Sequence, residues 1–137
     1  MSLTDALFSV LQEKCSQYSL DFPAISNQLL TFLGGAQPVT FLFGRGFAPE
    51  NPTVFVDVLV LTDRLLVSLD MSAGSNTLMF FKISEIRQVV LTTYTDHVRL
   101  QLTLSGIGSV YVNADLGEYL NVQQFALTLR DSMRSIF

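Results

Sequence analysis

Apolar residues recur at two different spacings along the chain, and the spacing changes near residue 36. At first they recur every three or four positions, as in an amphipathic helix, and Leu7 and Leu11 belong to the first such stripe. A second stripe begins after Asp21, a residue type that caps helices, and ends at Gly34, which suits a helix C-terminus. The pattern therefore predicts an N-terminal helical hairpin over residues 1–36.

From residue 37 the apolar positions alternate, as they do in β-strands. Turn-forming residues divide this part into about seven short strands, which we expect at residues 37–43, 54–61, 65–70, 78–83, 86–94, 98–104 and 110–113. A long loop is expected at residues 44–52, and the helical spacing returns over residues 118–137. The chain is therefore expected to be α+β, mainly antiparallel β, and to end in one amphipathic helix.

The strongest strand signal is a hairpin that joins residues 54–61 to residues 65–70. One face of its first strand carries valine at positions 54, 56, 58 and 60, and the other face carries Phe55, Leu59 and Leu61. A strand that is apolar on both faces has to be covered on both sides. We expect the valine face to line the core that the curled or paired sheets enclose, and the returning strand to be buried on one side only.

The second face of that strand points most directly to a partner. Hydrophobic residues make up 49% of the chain and charged residues only 15%, so much apolar surface needs cover. Leu78 and Phe80 form a comparable face on their own strand, so the interface candidates are Phe55, Leu59, Leu61, Leu78 and Phe80. Either the N-terminal helices fold back over this surface within one chain, or two subunits bury it through sheet edges or exchanged helices.

The charge of the chain limits its partners. A formal net charge of −4 argues against nucleic acid and against simple electrostatic docking on anionic lipid. The sequence has neither the layout of a signal peptide nor the roughly 18 consecutive apolar residues of a membrane span. Its single cysteine, Cys15, allows no intrachain disulfide and fits a reducing compartment. We therefore expect a cytoplasmic protein with no transmembrane segment.

No combination of residues indicates catalysis. His97 stands beside Asp96 at the start of a strand, but no residue is singled out as the nucleophile that such a pair would activate. One histidine and one distant cysteine do not make a metal-ligand set, and the pair Gly44 and Gly46 lacks the third glycine of a nucleotide-binding loop. We expect no enzymatic activity, no metal and no cofactor.

Three segments resemble the bacterial PH-like and GRAM-like members of the pleckstrin-homology superfold. They are VLTDRLLV at residues 60–67, FKISEIRQV at residues 81–89 and VYVNAD at residues 110–115. The predicted order of about seven strands followed by one helix is also the order of that superfold. The resemblance covers residues 37–137 and leaves the helices of residues 1–36 as an addition, packed on this domain or extending from it.

The resemblance implies a seven-stranded PH-like barrel or sandwich capped by the C-terminal helix, and a non-catalytic binding or assembly module. Phosphoinositide-binding members carry several lysines and arginines around the loop after the first strand, whereas this loop offers only Arg45, with Glu50 nearby. Arg45 is therefore a candidate for binding an anion, but a solvated loop arginine is the simpler interpretation. Binding to membrane lipid is an alternative rather than the expectation.

Protein binding or self-association is thus the expected function, at a sheet edge or in a groove beside the C-terminal helix. Two other classes stay open. A small acidic chaperone-like protein would share the size and charge of this chain, although such proteins usually carry a helix between strands. A weak lipid or small-molecule binder would use a pocket between the sheet and the N-terminal helices.

Overall fold

The computed structural model describes residues 2–45, 54–72, 74–106 and 108–136. The helices are α1 (Leu3–Gln17), α2 (Phe22–Leu33) and α3 (Tyr119–Ile136). The strands are β1 (Thr40–Gly44), β2 (Val54–Leu61), β3 (Leu65–Ser72), β4 (Asn76–Lys82), β5 (Ile86–Thr93), β6 (His97–Leu104) and β7 (Gly108–Asp115). Short 3-10 helices, Ile83–Glu85 and Leu116–Glu118, precede β5 and α3. Residues 46–52 of the predicted loop lie outside the described residues.

The predicted start and end of α2 are confirmed, and the structure assigns the cap of α1 to Ser2. The Ser2 hydroxyl accepts the N–H of Asp5 at 3.1 Å, and a carboxylate oxygen of Asp21 accepts the N–H of Ala24 at 3.2 Å. Each bond satisfies one of the backbone donors that a helix start leaves without an intrahelical partner. Gly34 ends α2 with φ at 59°, in the left-handed region that glycine adopts without strain.

The seven strands form two antiparallel sheets. One has the order β1-β2-β3-β4 and the other has the order β5-β6-β7. Within the described residues the sheets are not closed into a barrel, although the Arg45 N–H donates to the Asn113 carbonyl at 2.9 Å and holds the end of β1 beside β7. The α+β class with mainly antiparallel strands is confirmed. The closed seven-stranded barrel is not.

The central strands β2 and β3 of the four-stranded sheet are buried on both faces and separate two cores. Helices α1 and α2 cover one face, and the three-stranded sheet together with α3 covers the other. The helix-side core contains Leu7, Leu11, Cys15, Ile25, Leu29, Leu33, Val56, Val58, Val60, Val67, Leu69 and Met71. The inter-sheet core contains Leu42, Leu59, Leu61, Leu66, Phe81, Ile83, Ile86, Val98, Leu100, Leu102, Leu104, Val112, Ala114, Val122, Phe125 and Leu129. Helices α1 and α2 therefore pack on the four-stranded sheet.

The two faces of β2 are used in the opposite way to the sequence prediction. Val58 and Val60 lie under the N-terminal helices, whereas Leu59 and Leu61 lie in the inter-sheet core. The expectation that the valine face lines the core between the sheets is wrong. Both faces are apolar, so the alternation alone cannot tell which of them meets the helices.

Strand β3 is likewise buried on both faces, which corrects the prediction that it is buried on one side. Val67 and Leu69 lie under the helices, while Leu66 is fully buried in the inter-sheet core. Ser68 lies on the same face as Leu66 and is only 3% exposed. The second sheet covers the face that the sequence pattern left open to solvent.

Phe55 departs from the alternation of its strand because β2 contains a β-bulge. The register with β3 shifts between Val54 and Val56. A bulge adds one residue opposite the partner strand and redirects the side chains beside it. Phe55 consequently packs against the helix-side core, with its ring stacked at 5.5 Å on Tyr18 at the end of α1.

Gly44 ends β1 where that strand lies against β7, and the space for a side chain there is already filled. A Cβ at this position would collide with Oδ1 of Asp57, and it would lie 2.7 Å from Cγ1 of Val112 and 2.8 Å from the Asn113 carbonyl oxygen. Two of these neighbours belong to β7. The glycine therefore lets the edges of the two sheets approach each other.

We expect Gly44→Ala to lower the free energy of unfolding by about 1–3 kcal/mol, the usual cost of overpacking a filled site. Urea unfolding at equilibrium measures it. Gly117→Ala is the control, because a Cβ there meets no atom within 4 Å, and it should change stability by less than about 0.5 kcal/mol. Equal losses in the two variants would contradict a close approach specific to Gly44.

Candidate functional site

A groove of about 540 Å³ runs along β1 between α1 and α3. Its floor consists of six consecutive residues, 40–45. Side chains alternate between the two faces of a strand, so consecutive residues can line a groove together only if it follows the edge of the strand. The groove therefore follows the edge of β1 that faces away from β2.

The hydrogen bonds of the sheet show which backbone groups of β1 point into this groove. The Thr62 N–H donates to the Leu65 carbonyl at 2.9 Å, in the register of the β2–β3 pair. The backbone N–H and C=O groups of the even-numbered residues of β2 therefore bond to β3. The odd-numbered residues of β2 then bond to their even-numbered partners in β1. The N–H and C=O groups of Phe41 and Phe43 consequently point away from β2 and into the groove.

The two walls of the groove come from helices on opposite faces of the sheet. The wall on the side of α1 has Val10, Glu13 and Lys14. The wall on the side of α3 has Glu118, Asn121, Gln124 and Phe125. A strand added to β1 would present alternate side chains to these two walls, because its side chains would also point to opposite faces. The groove is thus bounded by α1 on one side and by Glu118 and α3 on the other.

Arg45, the candidate for anion binding, lies at one end of the groove in an ion pair. Its Nη1 is 2.8 Å from Oδ1 of Asp115, and the two side chains are 29% and 70% exposed. An anion at Arg45 would therefore have to compete with a carboxylate that is already in place. A pair this exposed contributes about 1 kcal/mol or less to stability.

Two aspartates lie behind this end of the groove. Asp57 is 6% exposed, and its Oδ1 occupies the space beside Gly44. Asp70 is its cross-strand partner on β3, so the two carboxyl groups lie on the same face of the sheet. Burial raises the pKa of Asp70, because the charged carboxylate loses water contact.

The outer face of the second sheet carries a cluster of aromatic and charged side chains. Nδ1 of His97 is 2.7 Å from a carboxylate oxygen of Asp96, and the imidazole stacks on the Tyr94 ring at 4.6 Å. The guanidinium of Arg99 lies over the rings of Tyr94 and Tyr111, at 5.7 and 5.0 Å. The hydrogen bond with His97 lowers the pKa of Asp96. The Asp96–His97 pair is therefore one part of a network of ring stacking and hydrogen bonding on this surface.

The predicted interface residues do not form one surface. Leu59 and Leu61 are 1% and 0% exposed in the inter-sheet core. Phe55 and Leu78 are half-buried against the helix-side core. Phe80 is 57% exposed and contacts Phe32 of α2, with the two ring centroids 5.5 Å apart. Of the five candidates, Phe80 is the one that offers a largely exposed side chain.

Apart from Arg45, the sequence did not single out the residues that line the groove. Its floor is an ordinary short strand, and most of its wall residues are polar positions beside the apolar stripes of two helices far apart in the chain. Asn121 and Gln124 were the available signal, since they place amide side chains next to the buried Val122 and Phe125. The alternation pattern contains no information on which strand edge a helix leaves uncovered.

Comparisons with known proteins assign no family. Neither the models of known protein families nor the curated proteins give a match to this chain. None of the described helices combines the length and the apolar character needed to cross a bilayer. Across the described ranges, histidine, cysteine, aspartate and glutamate do not gather in groups of three or more that could hold a metal ion.

The raised pKa of Asp70 predicts how the removal of this carboxyl group changes stability as the pH varies. Since folding disfavours the charged form, Asp70 lowers stability above its folded-state pKa, and this loss disappears as the pH falls below the unfolded-state pKa. We expect Asp70→Asn to be more stable than the wild type at pH 7 and to lose this advantage near about pH 3. Urea unfolding across this pH range measures the difference.

The control is Asp63→Asn, which removes the same charge from the exposed turn between β2 and β3, where the Asp63 side chain is 74% exposed. Its stability should stay close to that of the wild type. If Asp63→Asn raises the stability as much as Asp70→Asn, the gain comes from the lower net charge and not from burial.

Proposed function

We propose that this protein is a non-catalytic, PH-like protein-binding module that takes an extended segment of a partner protein as an added strand on β1. The resemblance in residues 60–67, 81–89 and 110–115 supports the PH-like assignment. The order of four strands, three strands and a C-terminal helix agrees with it. Addition of a strand to a sheet edge is a common way for such modules to bind peptides.

The observation that carries this proposal is the groove along the edge of β1. Six consecutive backbone residues form its floor, and the N–H and C=O groups of Phe41 and Phe43 point into it. Main-chain hydrogen bonds supply affinity in strand addition, whereas the pockets for alternate side chains supply specificity. Here α1 provides one such wall and α3 provides the other.

The charges around the groove favour a neutral or basic partner segment. Glu13 and Glu118 line the two walls, and the arginine at the end of the groove is paired with Asp115. Lys14 contributes one positive charge, and the whole chain has a net charge of −4. The preferred segment therefore alternates apolar residues with lysine, arginine or uncharged polar residues.

A lipid or small-molecule site between the N-terminal helices and the sheet has less support than a site in the groove. Leu7, Leu11, Ile25 and Leu29 fill it with side chains that are at most 1% exposed. These residues pack directly against the strands in the helix-side core. A ligand there would have to displace a packed core, whereas the groove along β1 is open.

Selection of peptides against the full chain tests the proposal. A displayed library of random 12-residue peptides is selected on the wild type, and the binders are measured by calorimetry. Gln124→Trp places a large ring in the groove and should weaken the selected peptides at least tenfold, or about 1.4 kcal/mol. Gln123→Trp is the matched control, because Gln123 is exposed on the same helix and does not line the groove; it should change affinity less than twofold.

Amide hydrogen exchange gives a second readout that is independent of the variants. The bound peptide should slow the exchange of the Phe41 and Phe43 amides, which point into the groove. The proposal is wrong if the library yields no peptide that binds the wild type. It is also wrong if the selected peptides bind Gln124→Trp as tightly as the wild type.

A further inference from the structure

We infer that two copies of this chain associate by pairing their β4 strands antiparallel, so that two four-stranded sheets become one continuous sheet. Within the described residues, β4 pairs with β3 alone and is an edge of the first sheet. The groove along β1 lies at the opposite edge of the same sheet. This second inference is therefore independent of the proposed peptide binding.

The edge formed by β4 is regular and has little protection against pairing. All seven of its residues pair with β3 in one continuous register without a bulge. Proteins usually block such edges with proline, bulges or charged side chains. The strand reads NTLMFFK, so Lys82 at its end is its one charged residue.

The backbone groups on the outer edge can be identified from one hydrogen bond. The Ile83 N–H donates to the Arg64 carbonyl at 3.1 Å, in the same register as the rest of the strand pair. The odd-numbered residues of β4 therefore bond to β3. The N–H and C=O groups of the even-numbered residues point outward from the sheet, at Asn76, Leu78, Phe80 and Lys82.

Apolar side chains lie along this edge. Phe80 is 57% exposed and Met79 is 38% exposed. Phe32, which is 36% exposed on α2, packs edge-on against Phe80 on the helix side of the sheet. A partner at this edge would therefore gain apolar contact as well as backbone hydrogen bonds.

A second copy of the chain fits this edge because the strand is complementary to itself. A two-fold axis through Met79 places Leu78 opposite Phe80 of the other copy, and Asn76 opposite Lys82 of the other copy. The outward-pointing residues then face one another in four pairs, each able to exchange two backbone hydrogen bonds. The two lysines meet asparagines rather than each other, so no like charges come opposite one another.

Other registers of the same strand are less favourable. An axis through Phe80 would bring Lys82 opposite Leu78 and would leave Asn76 without a partner residue. The register centred on Met79 pairs all seven residues and keeps the polar ends together. It also keeps α2 of both copies on the same side of the joined sheet, because the two-fold axis is perpendicular to that sheet.

Measurement of the mass in solution tests the association. One strand pair with flanking aromatics is at the small end of protein interfaces, so sedimentation should cover about 1–200 µM chain. We expect a concentration-dependent dimer, and Phe80→Lys should weaken it at least tenfold. Leu120→Lys is the control, because it makes a comparable change at a leucine that is 74% exposed on α3, and it should leave the dimer unchanged.

Cysteine crosslinking tests the register. With the axis through Met79, the two Met79→Cys positions lie about 4.5 Å apart between Cα atoms, within the range of a disulfide. Two Thr77→Cys positions would lie about 14 Å apart along the strands, so this variant is the control. Mild oxidation should join Met79→Cys into dimers and leave Thr77→Cys as monomer, while Cys15 is buried in both.

A chain that stays monomeric over the whole concentration range would overturn the inference. So would a dimer that tolerates Phe80→Lys, since the interface would then be elsewhere. Equal crosslinking of Met79→Cys and Thr77→Cys would exclude the two-fold register through Met79.

Discussion

The structure depends on one requirement, which is that the central strands of the four-stranded sheet must be shielded from water on both faces. Strands β2 and β3 carry apolar side chains on each side, so neither face can be left in water without a large loss of hydrophobic stabilisation. The second sheet and α3 satisfy the requirement on one face. The N-terminal helices satisfy it on the other, which makes them part of the fold rather than an attachment to it.

This requirement also explains what the sequence could predict. The two kinds of spacing, the capping residue Asp21 and the glycine after α2 are local signals, and all of them reappear in the structure. The assignment of the faces of β2 is not local. Val58 and Leu59 are adjacent in the chain and both apolar. Only the packing of distant elements decides which of them meets a helix.

The candidate sites were harder to predict than the core for a related physical reason. A sheet edge consists of backbone groups, and every residue type except proline has the same ones. Phe41 and Phe80 both lie on edge strands, yet α1 and α3 frame the edge near Phe41, whereas the edge near Phe80 has α2 on one side. The positions of the helices relative to the strands depend on contacts between distant parts of the chain. The sequence therefore offered Phe80 as an interface candidate, but it could not identify the edge beside Phe41.

The two-core construction has a further consequence for the single thiol of the chain. Cys15 lies in the helix-side core with no exposed surface, and burial, followed by the charge of Asp21, raises the pKa of its thiol. Detachment of the helical layer alone would uncover this sulfur while the two sheets stay packed. The rate at which the thiol reacts with a reagent in solution would then report how often that layer lifts from the sheet. The reactivity of the Cys15 thiol would thus measure partial opening of the fold.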